Sequence, residues 1–402
     1  MTTPDCRRST VTIEDFAICL DLRDQGFADV IGGRLFAEDD GALSFHFGHS
    51  LISDYTEDDW VGTHTYVTRS RDGGATWCRP EMVTMPRVKD LTKESFFWGP
   101  LCRTREGTVL YSGTHQVMDA AEGTHHHDLS MRDYMLLYAR CEKTQPESEM
   151  RIVEWPPGTF MGEQFLEGGF QLPSGRLVFT MWGVVERGEN WRCGVLLSDD
   201  DGRTWRFRTV GYEPDLAIRD NPPGSGYPAG FNEQTLFLAR DGAVVSIIRG
   251  REGLGRGVPG GGRQDTWFFR SESRDEGETW STPEPTNLPG TGATGGQGLT
   301  LPDGSLLIGC RIPYSRTYYG LPEPELYGLN LARSFDQGWT WAPEFIIQRD
   351  PEGHAFNTHH CAMNGFFRRI SETEYDYIFG FFGHAYEPKL QRMLRLRLNI
   401  AE

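Results

Sequence analysis

The chain has 402 residues, a formal net charge of −17, and an unusual supply of glycine (48), tryptophan (11) and phenylalanine (24). Its length admits two or three ordinary domains or one large architecture, and 38% hydrophobic residues is enough for a sizeable core. The acidic balance, with no long basic run, argues against a nucleic-acid partner, although a few arginines gathered in one pocket can still hold an anion.

The eight cysteines are scattered, with neither a CxxC pair nor zinc spacing, so they read as free thiols. No metal and no cofactor is expected. "MTTPDCRRST" has no apolar core and no 18-residue apolar run follows, so no membrane partner is expected. The default location is cytoplasmic, or secreted if a leader has been removed. The pattern gives no oligomeric state.

In chain order the elements are short strands joined by tight turns. "STVTIEDFAICL" near the N-terminus is followed by a hairpin, "GGRLFAEDDGALSFHF", and by the acidic loop "SDYTEDDW". Four further hairpins are "LCRTREGTVLYSG", "GGFQLPSGRLVFTMW", "TLFLARDGAVVSIIR" and "GLTLPDGSLLIGCR", with a looser sixth in "CAMNGFFRRISETEYDYIFGFF". Between them a second pattern recurs, Ser-x-Asp-x-Gly-x-Thr-Trp: "SRDGGATW" at 70–77, "SDDDGRTW" at 198–205, "SRDEGETW" at 273–280 and "SFDQGWTW" at 334–341. Each copy follows an apolar strand and precedes another. The Asp is expected to accept turn amides, the Gly to supply positive φ, and the Trp to pack the outgoing strand.

The spacing fits a unit of about 60–70 residues, with one degenerate turn in the first interval. Six units of four short strands imply an all-β, six-bladed β-propeller spanning 1–402 as one domain. Its last unit shows three strands, and the N-terminal strand is expected to close it.

Inner strands of a propeller converge on its axis. Seven or eight residues beyond each inner turn glycine stand His49, His115, Trp182, Arg249, Arg311 and, in looser alignment, His384. Such polar groups facing one axis need partners, either a ligand or one another. The weaker signals are "THHHD" at 124–128, the glycine-rich 253–264, and Glu163 and Glu167 before the third inner strand. The first two read as loops.

The repeat is identified as the Asp-box, and the whole chain resembles the sialidase (neuraminidase) superfamily. The resemblance places the boxes on the periphery, away from the chemistry. In "FNEQTLFLARDGAVVSIIRG" it implies that Glu233 supports the nucleophile and that Arg249 belongs to a triad gripping a substrate carboxylate. It also implies an acid on the loop before the first box, where Asp58 and Asp59 stand, with Asp54 an alternative. The chain departs from the family at three points. Arg34 is out of register with the first triad arginine, and Arg311 and Arg316 compete for the third. The family's nucleophilic tyrosine is replaced by a stretch containing His354, His359 and His360, leaving Tyr318, Tyr319 or Tyr386 to reach in from elsewhere.

The implied activity is that of an exo-glycosidase on an oligosaccharide or polysaccharide ending in an acidic sugar. Glu233, Asp58, Asp59 and His359 are the catalytic candidates, and Arg249, Arg311, Arg316, Arg34, His49, His115, Trp182 and His384 are the substrate-binding ones. Two alternatives stand beside it. One is a polysaccharide lyase cleaving next to a uronic acid through His, Tyr and Arg. The other is a glycan-binding protein that keeps the arginines without catalysis.

Overall fold

A computed structural model describes residues 8–22, 31–49, 64–82, 95–116, 134–141, 151–153, 161–184, 192–212, 230–252, 267–289, 296–312, 328–354, 363–381 and 392–401. All regular structure among them is β. After β1 (Thr10–Asp21) come β2 (Ile31–Ala37), β3 (Leu43–His49), β4 (His64–Ser70) and β5 (Glu81–Met82), which form sheet I. Sheet II holds β6 (Ser95–Arg103), β7 (Val109–Gln116), β8 (Tyr134–Cys141) and β9 (Arg151–Val153). Sheet III holds β10 (Met161–Gln171), β11 (Leu177–Val184), β12 (Arg192–Ser198) and β13 (Arg206–Gly211). Sheet IV holds β14 (Gly230–Leu238), β15 (Val244–Glu252), β16 (Trp267–Ser273) and β17 (Glu284–Pro289).

The short β18 (Gly296–Gln297) pairs parallel to β14 and so joins sheet IV as a fifth strand. Sheet V then runs through β19 (Leu299–Thr300), β20 (Leu306–Ile312), β21 (Gly328–Ser334) and β22 (Ala342–Ile347). Between β18 and β19, the Gly298 amide donates to the Leu236 carbonyl at 2.9 Å. A Cβ on Gly298 would lie 2.1 Å from the Phe237 ring, so only glycine permits this approach. Sheet VI contains β23 (Met363–Arg369), β24 (Glu374–Phe381) and β25 (Arg392–Ala401), with β1 as its fourth strand. β1 pairs antiparallel with β25 from Thr10↔Ala401 to Asp21↔Arg392, joining the two ends of the chain. The chain is an all-β propeller.

Alternation within the strands makes the core. Neighbouring sheets bury apolar clusters between them: Leu110 with Phe179 (II and III), Val195 with Phe231 (III and IV), and Phe237 with Ile308 (IV and V). Leu331 with Tyr377 (V and VI) and Ile378 with Phe47 (VI and I) continue the series. Each fully buried Leu or Phe contributes about 1.5–3 kcal/mol.

The four repeats share one geometry. The serine hydroxyl donates to the Asp side chain at 2.8–2.9 Å and accepts the glycine amide at 2.7–2.9 Å. The Asp also accepts the threonine amide at 2.8–2.9 Å, and the Trp indole donates to the glycine carbonyl at 2.9–3.2 Å. The fourth residue of each turn, Gly73, Asp201, Glu276 or Gln337, has φ between 58° and 72°.

A neighbouring sheet grips each turn at that fourth residue. Its carbonyl accepts from Arg368 at Gly73 (2.8 Å), Arg176 at Glu276 (3.2 Å) and Arg270 at Gln337 (2.7 Å). The Asp201 carboxylate instead accepts from the Thr108 hydroxyl at 2.5 Å.

Antiparallel reversal assigns the two ends of the molecule. The first-to-second strand turns and the Ser-Asp-Gly-Trp turns share one end. The second-to-third strand connections and the links between sheets share the other, called the front here.

Candidate functional site

The front ends of β14 and β15 carry the pair singled out in the sequence. Asn232 pairs with Arg249 and Gln234 with Ile248, so Glu233 is the extra residue of a β-bulge. Its φ is +31°, and among the described residues it is the only non-glycine with positive φ outside the four repeat turns. Two neighbours hold the bulge. Phe231 is buried among Trp182, Ile248 and Phe269. Gln234, fully buried, donates from Nε2 to the carbonyls of Met181 (3.1 Å) and Gly194 on sheet III, and its Oε1 accepts from Ser246 Oγ at 3.0 Å.

So anchored, Glu233 places Oε2 2.8 Å from Nη1 of Arg249. The two side chains are 12% and 11% exposed. Within this setting the carboxylate can take or orient a proton, and the guanidinium can offer parallel N–H groups to a second carboxylate.

The other sequence-predicted residues divide by position. His49, His115 and Arg311 occupy the front ends of β3, β7 and β20, opposite His64, Met135 and Leu329 respectively. That is the level Arg249 occupies in sheet IV. Arg34 lies in β2 opposite His46 of β3, and Glu163 and Glu167 lie in the irregular first half of β10. The Trp182 side chain, 6% exposed, belongs to the apolar cluster between sheets III and IV with Cys193 and Phe231. The indole thus packs beside the strand that carries the Glu233 bulge. Asp58, Asp59, Arg316, His359 and His384 lie outside the described residues, as do Asp54, His360, Tyr318, Tyr319 and Tyr386.

Sequence reading missed a second polar group at the front. Asp350, almost fully buried, accepts the amides of Glu352 and His354 at 2.9 Å each and is held by Arg392, whose side chain is fully buried. Arg392 also donates to Glu352 at 2.8 Å, and His354 Nδ1 lies 3.3 Å from both Asp350 oxygens. The available signal was the "DPEGH" stretch. Its Gly353 has φ +87°, and the Asp350 amide bonds the His354 carbonyl at 2.9 Å, which is the geometry of the inner hairpin turns. This group ties the turn after β22 to the start of β25. It therefore puts His354 beside the start of the third strand of sheet VI.

The comparisons with known proteins agree with this fold. A model described as a BNR repeat-like domain matches residues 170–379. No curated protein matches the chain. Among solved structures, an unknown-function protein from Dyadobacter fermentans DSM 18053 is 16% identical with a TM-score of 0.66, the match covering 97% of this chain and 99% of that one. The Hadza microbial sialidase Hz136 is 15% identical with a TM-score of 0.59, over 94% of this chain and 66% of the other. An alpha-L-arabinanase from Penicillium chrysogenum, complexed with arabinobiose, is 13% identical with a TM-score of 0.54, over 98% and 99%. These likenesses establish the fold, and the matched model spans just over half of the residues. The chain belongs to the BNR repeat-like domain family and has the β-propeller fold that its sialidase neighbours share.

Proposed function

We propose that the protein is a glycoside hydrolase of sialidase-like type that acts on glycans with a terminal acidic sugar. Each of the six sheets is read as one blade around a common axis. The observation that carries the proposal is Glu233, a carboxylate set on a β-bulge at φ +31° and joined to Arg249 at the front end of the inner strands. A plain structural ion pair needs no such backbone, and conformations of this kind cost about 1–3 kcal/mol and concentrate at functional sites. Solved sialidases and an arabinanase of the same fold support a carbohydrate substrate.

In this reading Arg249 holds the substrate carboxylate, with Arg311 or Arg316 beside it. Glu233 activates or orients the attacking group, and Asp58 or Asp59 protonates the leaving oxygen. The attacking group is then a water, activated by a histidine such as His359, or a tyrosine brought in from a front connection.

The test is to assay free-sugar release, and ultraviolet absorbance from unsaturated uronates, on a panel of sialylated and uronate-containing glycans. Free sugar without new absorbance is expected, and Glu233→Gln should lower the rate by about 10²–10⁴-fold. Rising absorbance would make the protein a lyase. Binding with no turnover of any substrate would make it a glycan-binding protein.

A further inference from the structure

Between sheets I and II lies a cleft of about 180 Å³. Alternation along β3 gives it a polar wall. Phe45 and Phe47 pack toward sheet VI, leaving the other face of the strand to Ser44 and His46. Phe36, His46 and Tyr111 line the cleft floor, and Glu38, Arg69 and Glu81 line its rim. It reaches out to β5, the outermost strand of sheet I, well away from β14 and β15.

The chemistry of these groups selects a ligand class. His46 Nε2 lies 3.1 Å from Ser44 Oγ. Burial, with the charge of Arg69 next, pushes its imidazole down to about 3, so the ring stays neutral and has one donor and one acceptor nitrogen. The Arg69 and Glu81 charges are 3.9 Å apart with side chains 46% and 75% exposed, so both can turn toward a bound molecule. Two carboxylates against one guanidinium disfavour phosphate or sulfate, and a wholly apolar guest would desolvate the imidazole without replacing its bonds. A sugar ring meets both demands. Its C–H face lies on the aromatic floor, and its hydroxyls bond the carboxylates, the guanidinium and the imidazole.

We infer that the cleft between sheets I and II docks one neutral sugar ring, making it a second carbohydrate contact separate from the Glu233–Arg249 pair. The inference goes beyond the catalytic reading and holds equally for an enzyme or a glycan-binding protein.

The test is saturation-transfer NMR on the full chain with methyl glycosides of galactose, glucose, N-acetylglucosamine and arabinose. Saturable binding with a Kd in the millimolar range is expected for at least one of them, weakened about tenfold or more in His46→Leu. Glu233→Gln should leave it unchanged, which separates this site from the one at the front. If His46→Leu does not fold, the Arg69→Ala/Glu81→Ala double variant replaces it, since both side chains are largely exposed. Absence of saturable binding by every neutral sugar overturns the inference. So does binding that survives the cleft variants but disappears in Glu233→Gln.

Discussion

Glu233 and Arg249 could be paired from the sequence because a hairpin needs only two strands, a turn and a count of residues. What the count could not give is the bulge, since nothing in "FNEQTLF" marks one residue as extra. Gln234 and Phe231 hold that residue in place through contacts with sheet III and with the cluster behind it. The proposed acid, Asp58 or Asp59, and the proposed attacking group were less legible, because they fall between the strands, where no period of 2 constrains the pattern. Trp182 matches Arg249 in the count, but its size and apolar body place it in the buried cluster between sheets III and IV.

A prediction belongs to this scale. Lysine keeps the charge of Arg249 but loses the planar fork. Arg249→Lys should raise KM for an acidic glycan by about 10–100-fold with kcat much less affected. Steady-state kinetics on the substrate identified by sugar release gives the answer, and an unchanged KM would reduce Arg249 to a structural partner of Glu233.

At the scale of the element, the repeat turns were legible because five positions recur, each with a separate physical job. The fourth position was not, since Gly, Asp, Glu and Gln share a left-handed backbone there that their side chains do not advertise. Acid should expose what these turns contribute. The carboxylates of Asp72, Asp200, Asp275 and Asp336 are all held below the ordinary range. For Asp72 the leading cause is the Thr76 hydroxyl bond. For the other three, burial is the largest single effect and acts upward, but bonds from the turn threonine and serine together outweigh it. The Asp275 carboxyl is lowered to about 2.

A carboxylate depressed in the folded state contributes stability that is full above its unfolded value, about 4, and is lost as pH falls through the folded one. Thermal melts should therefore fall from about pH 4 toward pH 2. Asp275→Asn should lower Tm at neutral pH and flatten the acid decline. An acid decline as steep in the variant as in the parent would remove Asp275 from the account.

For the whole molecule, the question is how a ring of sheets stays closed. The N-terminal strand was legible as the missing fourth strand of the last unit, because "STVTIEDFAICL" alternates and the last unit shows only three strands of its own. The arginines that reach from one sheet to the turn of the next were not, because each contact joins residues dozens to hundreds of positions apart. Arg368 to Gly73 closes the ring from the inner strand of sheet VI, while β1 on β25 closes it from the outside.

The two closures are unequal. The first is one hydrogen bond to a carbonyl beside the apolar contact of Ile378 with Phe47. The second is a ladder of ten residue pairs, with Cys19 Sγ donating to the Met393 carbonyl at 3.2 Å and Arg395 bonded to Asp15 at 2.6 Å. Without β1, the Leu394, Leu396 and Leu398 strand becomes an open sheet edge, which unpaired backbone makes prone to association. A chain lacking residues 1–21 should melt well below the parent or accumulate as aggregate, and a peptide of residues 8–22 added in trans should restore part of the loss. An unchanged Tm in the truncated chain would mean that closure rests on the inner strands and the arginine contacts, with β1 merely covering an edge that is already stable.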